Sequence, residues 1–120
     1  MNNLSYYFQI HLLAAPHILL MNVTFEAFAD QLQSFDRLHF EMDGSFVWTG
    51  STPLPWQLDG MVYDLGQQIQ RIELKGQCPK AEWQKLLSAL NHPQQSLVAY
   101  DLQTAQFATI QYLEQSLWSS

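Results

Sequence analysis

Asp59 and the tripeptide Glu73-Leu74-Lys75 are the residues of this chain whose types and spacing point to chemistry. Alternate residues of a strand lie on the same face, so Glu73 and Lys75 belong together. WQLDGMVYD, a short LGQQ connection and IQRIELKG read as an antiparallel hairpin. Folded about Gly66, this hairpin places Asp59 directly opposite Glu73, with Lys75 beside them. Two carboxylates are what a hard divalent ion such as Mg²⁺ or Mn²⁺ takes from a protein, with waters completing its shell. A neighbouring lysine orients or activates a water and stabilises charge developing on a phosphate. The alternative is a surface charge ladder of Asp59, Arg71, Glu73 and Lys75, in which each cross-strand pair of opposite charge contributes only about 0.2–1 kcal/mol.

Other reactive types are less well placed. Cys78 sits at an expected helix N-terminus, a position that lowers a thiol pKa, but no histidine is near it in sequence, so a capping or buried thiol is the expected role. His11, His17, His39 and His92 are scattered and lack metal-ligand spacing, so they read as packing or surface residues. Trp48, Trp56, Trp83 and Trp118 read mainly as core, with one or two at an interface.

Several elements must position Asp59, Glu73 and Lys75. Leu4 to Leu13 alternates as a strand, Tyr6, Phe8 and Ile10 against Tyr7, Gln9 and His11; Pro16 interrupts it, and His17 to Met21 extends or repeats it. Thr24 reads as the N-cap of a helix over 25–34, with Phe25, Phe28, Leu32 and Phe35 at helical spacing. RLHFEM-DG-SFVWTG predicts a hairpin with a two-residue turn at Asp43-Gly44, both at positive φ, and Leu38, Phe40 and Met42 on one face. Ser51 to Pro55 is a stiff loop.

In the second hairpin, Leu58, Gly60 and Val62 line one face with Ile72 and Leu74. Asp59, Met61 and Tyr63 line the other with Arg71, Glu73 and Lys75. The alternative is a turn at Asp59-Gly60. Pro79 at the first helical position opens a second helix, ending at 91–95. Ser96 to Leu102 is a further strand, and the tail from Gln106 reads as a strand hairpin followed by a short helix. The expected architecture is a single domain over 1–120, of class α+β. It has one mixed or antiparallel sheet and two main helices packed on it, plus an extra N-terminal strand and a C-terminal hairpin and helix.

Composition narrows the setting. At 120 residues, with 48% apolar and 13% aromatic, the chain has ample material for one core. Only 13% of residues are charged, about half the usual share, and a small domain so poor in charge covers apolar surface by pairing with a copy of itself. The formal net charge of −6 argues against general binding to nucleic acid or anionic membrane. Arg71, Lys75, Lys80 and Lys85, offset by Glu73 and Glu82, leave +2 in one stretch, so the remainder carries −8. The lone Cys78 allows no internal disulfide and fits a reducing compartment. The apolar N-terminus lacks a preceding Lys or Arg and is broken by Gln9, His11, Pro16 and His17. It is a poor signal peptide and too interrupted to span a membrane, so a cytoplasmic setting is expected.

Asp59, followed after thirteen residues by Glu73-x-Lys75, resembles the PD-(D/E)xK nuclease superfamily. The order of elements over roughly 24–102 is similar to that superfamily's αβββαβ core, with one added strand from the hairpin that begins at Arg37. The resemblance implies that Asp59 and Glu73 bind Mg²⁺ or Mn²⁺ and that Lys75 assists an attacking water. It also implies that Glu26 is an extra acidic residue on the first helix and that nucleic acid is the substrate. Members that have lost catalysis make an inactive nuclease-like domain equally consistent with it. The reading from a different class is a non-catalytic acidic interaction module, which binds a basic partner as an inhibitor or immunity protein does, or self-associates as a homodimer.

Overall fold

The structure, a computed structural model, describes residues 4–14 and 20–118. The reading of Pro16 and His17 therefore lies outside the described residues. The elements run β1 Phe8–Ala14, α1 Phe25–Gln33, β2 Leu38–Phe40, β3 Ser45–Gly50, β4 Trp56–Leu65, β5 Gln68–Gly76, α2 Lys80–Ala89, β6 Leu97–Asp101, β7 Gln106–Thr109 and α3 Ile110–Leu117. The expected α+β class holds. The sheet has seven strands in the order β2-β3-β4-β5-β1-β6-β7. Among the described residues every strand pairing is antiparallel.

Local chemistry explains most boundaries. The Thr24 hydroxyl accepts from the Ala27 amide at 3.1 Å and caps α1, and Thr109 does the same for Tyr112 and α3. Pro79 is the N-cap of α2 rather than its first helical residue: its backbone is extended and its carbonyl accepts from the Trp83 amide.

The β2–β3 hairpin corrects the two-residue turn. Glu41 and Ser45 close the ladder, Met42, Asp43 and Gly44 form the loop, and only Gly44 has positive φ, at 99°. Asp43 keeps an ordinary φ because its carboxylate accepts from the amide and hydroxyl of Ser45, at 2.9 and 2.7 Å, and these bonds hold it below the usual carboxylate range. Met42, in that loop, is exposed and does not share the face of Leu38 and Phe40.

One core lies on one side of the sheet. Phe8, Ile10 and Leu12 from β1, Phe46 and Trp48 from β3, Leu58 and Val62 from β4, and Ile72 and Leu74 from β5 join the apolar residues of all three helices in one cluster. Their outward neighbours, Gln9, His11, Asp59, Met61, Arg71 and Glu73, are only half-buried. The three helices therefore cover a single face.

Gly60 is required by close approach. It lies opposite Phe46, and a Cβ at residue 60 would collide with the buried Phe46 ring. Gly60→Ala should cost about 1–3 kcal/mol by overpacking. Pairing it with Phe46→Leu should cost less than the two single losses added together, because the smaller side chain clears the clash. Urea unfolding of the four proteins measures this, and an unchanged midpoint for Gly60→Ala would contradict the packing.

Candidate functional site

The site is built on β4 and β5, and their register differs from a fold centred on Gly66. Leu65 pairs with Gln68, which puts the turn at Gly66 and Gln67, with Gly66 at φ 67°. Asp64 then pairs with Ile69, but Tyr63 pairs with Arg71, so Gln70 is an extra residue in β5. The turn and the bulge each move the register by one position. Together they keep every side chain on its expected face while sliding the strands. Asp59 consequently faces Lys75, and Glu73 faces Met61. The expected juxtaposition of Asp59 and Glu73 is replaced by a diagonal one. The bulge is readable in the sequence after the fact: Ile69 and Ile72 are both buried, and a spacing of three is forbidden by strict alternation.

On its other side β5 pairs with β1, which sets Gln9 opposite Lys75 and His11 opposite Glu73. His11 is the residue that sequence reasoning missed. Its Nε2 lies 2.9 Å from one Glu73 oxygen. The Tyr63 hydroxyl donates to the other Glu73 oxygen at 3.1 Å, and the Arg71 guanidinium sits over the Tyr63 ring, 3.9 Å from its centre. Donation to the carboxylate, with some help from burial, raises the Tyr63 pKa above its usual range. Asp59 accepts from the Gln57 amide at 2.8 Å. Among the described residues no carboxylate lies within 4.0 Å of the Lys75 ammonium.

Asp59, Glu73 and Lys75 nevertheless line one hollow of about 220 Å³ on the outer sheet face, with Gln9, Met61 and Leu102 among its walls. Asp59 and Lys75 also border a neighbouring hollow of about 430 Å³ with Tyr7, Gln57 and Gln77. Each oxygen of Glu73 already has one partner, His11 or Tyr63, so an ion in this hollow would share the Glu73 carboxylate with them. Glu26 lines a separate hollow with Asp30 and Asp64 and is not brought to Asp59.

Cys78 is the buried thiol that the sequence favours over a nucleophile. The thiol is buried, and burial first, then the charge of Glu82, pushes its pKa up, which leaves it protonated and unreactive. His39 is exposed and pairs with Glu41 at 2.9 Å. Trp48, Trp56 and Trp83 are buried as expected.

The chain matches no family model, no curated protein and no solved structure.

The Tyr63–Glu73 bond gives a titration test. A tyrosine whose folded pKa is raised binds its proton more tightly when folded. Its contribution to stability is complete below about pH 10 and is lost as pH rises through the folded value. Glu73→Gln should lower the pH at which one tyrosine forms tyrosinate, followed by ultraviolet absorbance against wild type. Superimposable curves would show that the bond does not hold in solution.

Proposed function

We propose that this domain is a non-catalytic protein-interaction module that docks through the uncovered face of its sheet. The observation that carries this reading is the one-sided layering: all three helices share one core, and the opposite face of a seven-stranded sheet stays open among the described residues. A continuous row crosses that face from Ser45 through Met61, Glu73 and His11 to Tyr100 and Phe107. Tyr100 and Phe107 pack edge to face, 4.9 Å between centres, and Phe107 is 65% exposed. Leu13 and Val98 extend the apolar part in the next row. Half-buried aromatic and apolar side chains around a few fixed polar groups are the composition of a docking surface rather than of a solvated one. The His11–Glu73–Tyr63 bonds fix the centre of the face before a partner arrives, which lowers the ordering cost of binding.

The test is a photo-crosslinking residue at position 61, with a control at the exposed Tyr112 on α3. In cells, position 61 should give discrete protein adducts and position 112 should not. Equal yields at both positions would remove the outer face as a docking surface.

The competing reading is a metal-dependent nuclease-like domain, and the shared hollow of Asp59, Glu73 and Lys75 supports it. In this reading His11 and Tyr63 compete with the ion for the Glu73 carboxylate. Calorimetric titration of Mn²⁺ should then show binding that Asp59→Ala abolishes and that His11→Ala strengthens by freeing Glu73. Heat indistinguishable from dilution in all three proteins would exclude the site.

A further inference from the structure

We infer that the occupant of the outer face is a second copy of this chain, packed sheet to sheet about a two-fold axis; this rests on the docking reading above and names its partner. Charge distribution carries the choice. The chain has formal net charge −6, and a face shaped for a basic partner would hold that excess. The excess lies elsewhere. Glu26, Asp30 and Asp64 gather in a hollow bordered by α1, while Glu82 and Glu114 belong to α2 and α3. The outward residues of the sheet hold three anions, Glu41, Asp59 and Glu73, against two cations, Arg71 and Lys75, with His39 beside Glu41 and His11 beside Glu73. Ser45 and Val47 on β3, and Val98 and Tyr100 on β6 beyond β1, are uncharged.

Two molecules that each carry −6 repel at every orientation except those that keep their acidic sides apart. This face, close to balanced, is the surface that allows contact, and because it displays both signs it is complementary to itself, as a two-fold interface must be. Lys75 is the available cation: it has no carboxylate within ion-pair distance in its own chain among the described residues. Val47, which lies opposite Asp59, and Leu102, beside Gln9, are each 39% exposed and flank this polar centre.

Size is sufficient. Seven strands spaced about 4.8 Å apart span roughly 29 Å, and about six residues of each central strand extend roughly 20 Å. The face is then on the order of 600 Å² per copy, or about 1,200 Å² in a pair, the lower end of the range for specific interfaces. Face-to-face sheets pack with strands near 30° or 90° to one another, so no strand edge takes part.

Sedimentation equilibrium over a concentration series tests the proposal. The wild type should fit a reversible dimer. Met61→Glu and Lys75→Glu, which break the apolar row and the charge balance, should each raise the dissociation constant about tenfold or more. Tyr112→Glu adds on α3 the same single negative charge as Met61→Glu and should leave the dimer intact. Methionine oxidation of the wild type reads the same face without a substitution: Met61 should become protected as concentration rises, while the exposed Met42 stays reactive. A wild type that is monomeric throughout would overturn the second copy, while the crosslink from position 61 judges the docking face independently. A dimer in which Met61 remains reactive, or which survives Met61→Glu, would place the interface elsewhere and overturn the proposal equally.

Discussion

Between Tyr63 and Asp64 the β4–β5 ladder changes step, and Gln70 is left with no residue opposite it. The cause lies in the core. Ile69 and Ile72 are both fully buried, although strict alternation would turn one of them outward. Adding one residue to the strand lets both point inward, and burying a large aliphatic side chain is worth about 1.5–3 kcal/mol against exposure. Together with the turn at Gly66 and Gln67, that step fixes the register of the central hairpin and sets Asp59 against Lys75. The separate pairing of β5 with β1 sets His11 against Glu73 and Gln9 against Lys75.

The parts of this arrangement legible in the sequence are those set by near neighbours. Alternation revealed the inward Leu58, Val62, Ile72 and Leu74. Thr24 announced α1, and the turn residues Gly44 and Gly66 located both hairpins. Faces were legible because the turn and the bulge shift register by one each, so their errors cancel in side-chain direction. Partners were not legible for the same reason: a two-residue slide preserves the pattern while exchanging every neighbour. The insertion of β1 between β5 and β6 is a long-range event with no local mark. His11 and Glu73 are 62 positions apart in the numbering of the chain, and nothing near either one announces that they meet. Cys78 was legible as a buried thiol, because no histidine near it in sequence offered a base, and it lies in the apolar cluster with Trp83.

The sheet separates two jobs by face. The inner face supplies stability through a single apolar cluster shared with three helices. The outer face has no such duty, and its polar residues are ordered by one another: Glu73 accepts from Tyr63 while pairing with His11, and Arg71 covers the Tyr63 ring. This network lies outside the apolar cluster, so substitutions within it leave the core packing in place.

The strands at the two margins of the sheet are its shortest, β2 with 3 residues and β7 with 4. Strand lengths this small offer few free amides and carbonyls, too few to template the addition of another chain. Growth by strand addition propagates, because each new strand presents a fresh border; contact across a face ends when that face is used. With its borders this short, the sheet offers little foothold for fibres that lengthen strand by strand, and any contact across its open face would be one that terminates.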